Sequence, residues 1–428
     1  MRYLLIIFSL LLLSCESEEI VEFVTNGEKY EDTELDLSYA PECYPVFSWD
    51  KVPLNGHFSK DTDNFTDEEA EFIANTYSFV TLEKNQGNPD VGADIETPKD
   101  AALIKQYNSD CKVLLYWNTR NDYGDMWSTG SNLIYNPTTK DTASAKNFEW
   151  ILYDGVTYYN DGTDYRHRFD PRNEEMSLWW TSVAVDMIAE HSSLDGIFAD
   201  GVMSYVESSS TVMTRLDTYY GAGQGDAYRY EGLDMLGNVT SSYNNQNLVI
   251  ANCIRAQRSA LPDSEGRDGF LGLDYCHGGM LEHFACPGTA SYTKDYILQD
   301  IEYIETASSI GKITVVKGWP RYKWTDDILD TMSDAEKEAM LREDIVFPLA
   351  CYLLGAGEYS YFAYSWGYRM EHGWMYDYEE FNKPLGAPQG AKVKVKPGDS
   401  SSYEYTREFE HAHVWVDIES FTAEITWL

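Results

Sequence analysis

The chain has 428 residues and carries 71 acidic against 32 basic side chains, a formal net charge of −39. A charge of that size and sign repels phosphate backbones, which excludes a nucleic-acid partner, and it disfavours an anionic membrane surface except through an attached lipid. The length exceeds what one ordinary domain requires and suits a large barrel with a small appendage.

In chain order, Met1-Arg2 followed by the apolar stretch Leu4 to Leu13 reads as a signal peptide too short to span a bilayer. It ends in Leu12-Leu13-Ser14-Cys15, which resembles a bacterial lipobox. The resemblance implies that residues 1–15 are a leader and that Cys15 is lipidated, attaching the protein to a membrane essentially permanently. Glu16-Ser17-Glu18-Glu19 resembles the acidic tag that directs lipoproteins of Bacteroidetes to the outer face of the outer membrane, so a cell-envelope location there is expected. Residues 16–45, acidic and without aliphatic periodicity, read as a tether. Of the remaining cysteines, Cys111 and Cys253 sit in apolar runs and are expected as free buried thiols, whereas Cys276 and Cys286 bracket a turn-rich segment and form the one disulfide candidate.

From 46 to 385, short apolar runs alternate with helical stretches. The expected strands are Val46–Trp49, Ser78–Leu82, Lys112–Trp117, Gly196–Asp200, Leu248–Asn252, Gly279–Glu282, Ile313–Val316 and Ser360–Tyr364. Helices are expected at Asp67–Asn75, Lys99–Tyr107, Glu174–His191, Tyr228–Tyr243, Asp295–Ser308 and Ser333–Leu354. Eight such repeats predict an α/β fold, a (β/α)8 TIM barrel. Residues 386–428 change to period-two alternation and predict a small C-terminal antiparallel β appendage. No Gly-x-Gly-x-x-Gly turn follows the first strand, and Gly221-Ala222-Gly223-Gln224-Gly225 reads as a loop, so no nucleotide cofactor is expected. No cysteine or histidine spacing suits a metal, and His411 and His413 read as solvent-facing edge residues.

In a barrel of this type the chemistry stands at the carboxyl ends of the strands. Asp200 and Glu282 emerge there from different strands, as hydrolysis of a glycosidic bond requires: one carboxylate attacks or activates water while the other protonates the leaving oxygen. Asp200 is read as nucleophile or base, and Glu282 as a general acid raised by apolar surroundings; Asp274, in Leu271 to Tyr275, is its rival. Trp49, Trp117, Trp319 and Trp366 end four strands and offer faces for sugar rings, with Trp127, Trp179 and Trp180 as further walls. Asn118, Arg120, Asn252 and His283 complete the expected substrate contacts.

Leu194-Asp195-Gly196-Ile197-Phe198-Ala199-Asp200-Gly201 and Gly279-Met280-Leu281-Glu282-His283-Phe284 resemble the fourth- and sixth-strand signatures of the hypothetical glycosyl hydrolase families with a TIM barrel. Leu385-Gly386-Ala387-Pro388 and Arg407-Glu408-Phe409 are similar to their Leu-Gly-x-Pro and Arg-x-Phe patterns, although Glu410-His411-Ala412-His413 replaces the usual Asn-Gly turn. The resemblance implies a glycoside hydrolase acting on a poly- or oligosaccharide outside the cytoplasm through Asp200 and Glu282. The alternative is a glycan-binding surface lipoprotein without chemistry. An esterase or deacetylase lacks the Gly-x-Ser-x-Gly elbow and the metal set it would need.

Overall fold

The computed structural model describes residues 41–122, 148–155, 167–258, 260–286 and 292–428. Cys15 and Trp127 lie outside them. Eight parallel strands follow one another in sequence order: β1 (Asn55–Phe58), β2 (Phe79–Leu82), β3 (Lys112–Asn118), β4 (Gly196–Asp200), β5 (Leu248–Ala251), β6 (Gly278–Phe284), β7 (Ile313–Gly318) and β8 (Ser360–Tyr364). A parallel bridge between Leu54 and Phe362, and a second between Ser59 and Arg369, join β8 back to β1 and close the barrel. The main outer helices are α1 (Asp67–Thr76), α2 (Ala93–Tyr107), α3 (Glu174–Glu190), α4 (Gln224–Tyr243), α5 (Lys294–Ser309), α6 (Asp334–Asp344) and α7 (Val346–Gly355). Thr66 and Glu69 start α1 with a reciprocal capping box, as Ser333 and Glu336 start α6.

Period-two alternation divides each strand between two cores. Phe79, Leu114, Tyr116, Phe198, Leu248, Ile250, Met280, Ile313, Val315 and Tyr361 form one apolar cluster, the filled barrel interior. Val113, Leu115, Trp117, Ile197, Val249, Leu281 and Val316 belong to the larger cluster between sheet and helices. Cys43 and Tyr44 join the interior cluster, and the Tyr44 hydroxyl donates to the carbonyls of His277 and Gly311, which precede β6 and β7. They therefore cover the amino-terminal end of the barrel, although the sequence places both within the expected tether.

Three local expectations change. The first strand is Asn55–Phe58, not Val46–Trp49; Phe47 and Trp49 instead form a ring contact, and Trp49 also packs on Phe409, away from the mouth. The long expected last helix is two, α6 and α7. Cys276 and Cys286 are buried and not disulfide-bonded, like Cys111 and Cys253. The whole of β6 lies between that pair, and its seven residues at about 3.3 Å each hold the two ends some 20 Å apart, far beyond disulfide reach.

The C-terminal strands β9 (Val393–Lys394), β10 (Glu404–Glu408), β11 (Ala412–Asp417) and β12 (Thr422–Trp427) form an antiparallel sheet against α7. Arg407 fastens it: Nη1 donates to the carbonyls of Leu353 (2.9 Å), Leu354 (3.1 Å) and Ala356 (2.7 Å), the unsatisfied end of α7. Leu385 and Gly386 bond through their amides to Asp50 and Trp49, so both C-terminal motifs serve the architecture. His413 bonds to Glu408 and His411 is exposed.

Candidate active site

Asp200 ends β4 and Glu282 lies near the end of β6, and one side chain joins them. Asn252, just past β5, has its Nδ2 at 3.0 Å from Asp200 Oδ1 and at 3.0 Å from Glu282 Oε2. The two N–H bonds of a primary amide diverge by roughly 120°, so the oxygens they serve are about 5 Å apart. Asp200 Oδ2 also accepts from the Tyr116 hydroxyl (2.5 Å) and from Asn118 Nδ2 (3.0 Å). Glu282 Oε1 accepts from the Tyr368 hydroxyl (2.8 Å). Both carboxylates are thus fixed by donors on several elements, the arrangement that preorganises a reacting group.

Local backbone puts them there. Gly201 follows Asp200 at φ +85°, and a Cβ at that position would come within 2.9 Å of Arg120 Cβ and 3.1 Å of Asn118 Oδ1, so the turn out of β4 requires glycine. On β6 the register shifts between Leu281 and Phe284, an irregularity that re-aims Glu282 and His283 together. Asp274 lies before β6 in a short 3-10 turn and accepts from the Ser264 amide, leaving Glu282 as the strand-end acid.

Burial pushes the Glu282 carboxyl upward, but the His283 imidazole, hydrogen bonds from Asn252 and Tyr368, and the Arg255 guanidinium outweigh it and hold Glu282 below the usual range. The expected upward shift is therefore reversed in the free protein. His283 Nε2 lies 3.6 Å from Glu282 Oε2; burial, with help from Arg255, Lys323 and Lys317, takes the imidazole down to about 4 despite that carboxylate.

Of the other predicted residues, Asn118 and Asn252 meet the carboxylates, while Arg120 Nε bonds to Asn121 and its charge acts on Tyr205 and Tyr228. The tryptophans behave differently from expectation. Trp117, beside inward-facing Asn118, must face outward, where it stacks on Trp180 and donates to that residue's carbonyl; Trp179 joins the same cluster. Trp319 is fully buried, stacks on His283, and donates to the Glu282 carbonyl at 2.7 Å, so it positions the acid. Trp366 is half-buried against His372.

Several site residues went unpredicted. Tyr116 lies two residues before Asn118 and so faces the same way; alternation could have found it. Tyr368 lies beyond β8 with no pattern to mark it. His57 and Glu83, at the ends of β1 and β2, form a buried pair at 2.9 Å, with Lys84 on the other carboxylate oxygen at 2.6 Å and the imidazole against Phe198 and Tyr368. Trp324 is 53% exposed in the loop after β7, where its amide bonds to the Trp366 carbonyl at the end of β8.

The chain is similar in architecture to several carbohydrate-active enzymes. Against a cyclic α-maltosyl-(1→6)-maltose hydrolase from Arthrobacter globiformis it shows 11% identity and a TM-score of 0.44, over 88% of this chain and 91% of that one. Against an α-amylase from Geobacillus thermoleovorans the values are 10%, 0.43, 86% and 87%. A cycloisomaltooligosaccharide glucanotransferase from Paenibacillus sp. matches at 10% and 0.39 over 65% of this chain, which spans only 40% of that enzyme. No curated protein sequence matches the chain. The model of hypothetical glycosyl hydrolase family 15 matches residues 105–413, from α2 to β11 and therefore across both carboxylates, and the chain belongs to that family.

Proposed function

We propose that this glycoside hydrolase cleaves a poly- or oligosaccharide with retention of configuration, with Asp200 as nucleophile and Glu282 as acid and base. The observation that carries the reading is the Asn252 amide shared by the two carboxylates at 3.0 Å each. It sets a separation of about 5 Å, which matches the retaining geometry of 5–5.5 Å and leaves too little room for the water of an inverting reaction.

In the first step an Asp200 oxygen bonds to the anomeric carbon as the bond to the leaving oxygen breaks, and Glu282 gives its proton to that oxygen. In the second, water attacks the same carbon, returns a proton to Glu282 and frees the Asp200 carboxylate. Three donors from Tyr116, Asn118 and Asn252 hold Asp200 for attack. Glu282 has the titratable His283 at 3.6 Å, a route for its proton. Exposed Trp324 offers a face for a sugar ring at the rim, the role expected of its buried counterparts. The same reading places the enzyme in the cell envelope, attached through a lipid on Cys15 and working on extracellular glycan.

Asp200→Gly and Glu282→Ala, assayed on activated aryl glycosides with azide present, test the roles. Azide should rescue Glu282→Ala with a product of the substrate's anomeric configuration and Asp200→Gly with the opposite one. Full activity of either variant without azide would remove that residue from the mechanism.

A further inference from the structure

With 71 acids against 32 bases, many lysines and arginines among the described residues sit on a carboxylate. Arg172 pairs with Asp170, Arg215 with Asp154, Arg267 with Asp263, and Arg321 with Asp344. Two cations in the loops beside Glu282 make no such ion pair among the described residues. Arg255, in the loop after β5, bonds through Nη2 to the neutral Gln257 at 2.9 Å, and its Nε is buried with no hydrogen-bond partner. Lys323, in the loop after β7, holds Asp326 through its backbone amide, while its ammonium has no partner among the described residues. These loops flank β6, so the two cations stand on either side of the strand that carries Glu282 and His283.

Glu282 and Asp300 both act on Arg255, but no carboxylate hydrogen bond to its guanidinium is present among the described residues. Asp300 is fully buried, accepts from the Ala256 amide at 2.8 Å and from the Tyr292 hydroxyl, and is driven by that burial to about 8, so it stays protonated at neutral pH. Arg255 and Lys323 both act on His283, whose ring is held flat against Trp319 at 5.7 Å between centroids. The opposite side of the mouth is internally balanced, because Lys84, Glu83 and His57 satisfy one another. A buried guanidinium donor left open, in a chain with more than two acids per base, is costly unless a ligand completes it.

We propose that Arg255 and Lys323 receive an acidic substituent on the sugar, a ring carboxylate or a sulfate ester, and that the substrate is an anionic glycan. A rotation of the Arg255 side chain that uncovers Nε would present Nε and an Nη to two oxygens of one such group, a planar fork that matches carboxylates and sulfates alike. Lys323 supplies a point charge from the other side. The proposal rests on the hydrolase reading for its site, but not for its ligand chemistry.

The test uses the full chain with matched glycans: a polyuronate and its carboxyl-reduced form, and a sulfated polysaccharide and its desulfated form. Reducing-end release is measured with the wild type, and binding by calorimetry with Asp200→Asn. The acidic member of one pair should be preferred at least tenfold, and which pair responds identifies carboxylate or sulfate. Arg255→Gln with Lys323→Gln should bring the acidic-to-neutral ratio near one, whereas Arg255→Lys with Lys323→Arg should keep most of it. Equal use of acidic and neutral forms, or a ratio unmoved by the double glutamine variant, overturns the proposal. Acid-selective binding lost in that variant, without hydrolysis of any glycan, would defeat the hydrolase reading and leave this one standing. Hydrolysis without acid preference does the reverse, and absence of both binding and hydrolysis overturns both.

Discussion

Asn252 is the most informative single perturbation, because one amide hydrogen-bonds both candidate carboxylates. Asn252→Ala removes the two 3.0 Å hydrogen bonds and leaves the carboxylates facing each other across about 5 Å. At an effective dielectric constant of 20, two unit charges at that distance repel by about 3 kcal/mol, equivalent to about two pKa units. Some of that repulsion is relieved by solvent and by the remaining donors, so an upward movement of about one to two units is expected for Glu282. If Glu282 is the acid, as proposed, activity falls as pH rises through its pKa, and the alkaline limb of kcat/KM should therefore move to higher pH in the variant. The lost positioning of Asp200 acts separately. A charge-assisted hydrogen bond of about 2–3 kcal/mol converts to a fall in kcat/KM of about 30- to 150-fold at the optimum.

The assay is a pH profile of kcat/KM on a soluble glycan, with a thermal melt to confirm that the fold persists. A variant within threefold of wild type, with an unmoved alkaline limb, would refute the claim that Asn252 couples the pair. A drop in rate with no movement of the limb would mean that it positions Asp200 but does not tune Glu282.

Trp324→Ala should raise KM by about five- to tenfold with little change in kcat, as expected for uniform binding by an exposed ring, and unchanged kinetics would exclude stacking there. Arg407→Ala should destabilise the chain by about 2–4 kcal/mol in denaturant, because three carbonyls at the end of α7 lose their donor; a change below about 1 kcal/mol would mean that water replaces the guanidinium. Asp300 is raised to about 8, from about 3.9 in an unfolded chain, so its contribution is fully present below the unfolded value and is lost as pH rises towards 8. Asp300→Asn should therefore gain stability relative to wild type progressively between about pH 4 and pH 8, and a difference that stays constant with pH would show that Asp300 is ionised in the fold.

The fold was legible because its period is strong: seven of the eight strands are apolar runs between helices, and β4 occupies the expected Gly196–Asp200. The exception, β1, reads Asn55-Gly56-His57-Phe58, with residues of poor strand propensity that pair because β2 and β8 supply ladders on both sides. Asp200, Asn118, Asn252 and Glu282 were legible from strand ends alone. The tryptophans were misplaced for a reason the period itself contains. Trp117 and Asn118 are consecutive in β3, so both cannot face the mouth, and the ring goes to the helix layer. Tyr368 and Lys323 had no pattern to declare them, because each reaches the site from a loop whose path is set by tertiary contacts. The open Nε of Arg255 is likewise invisible in sequence, which fixes neither its rotamer nor its hydrogen-bond partners.

That cation also bears on how Glu282 can be an acid at all. In the free protein four influences hold it ionised: His283, Asn252, Tyr368 and Arg255. Asn252 and Tyr368 are anchored by the fold, and His283 is itself depressed to about 4 and so uncharged over most of the working range. Arg255 is the one persistent charge among them. An acidic substituent seated on Arg255 would neutralise it and add a negative charge near Glu282, and both effects favour the protonated carboxyl. Sugar contact would also remove water, strengthening both effects and reinforcing the burial that already pushes Glu282 upward. A neutral sugar of the same shape supplies only the desolvation. Recognition of charge and readiness for proton transfer therefore meet in one guanidinium, and the low Glu282 of the empty mouth becomes the resting condition of an acid loaded by its own substrate.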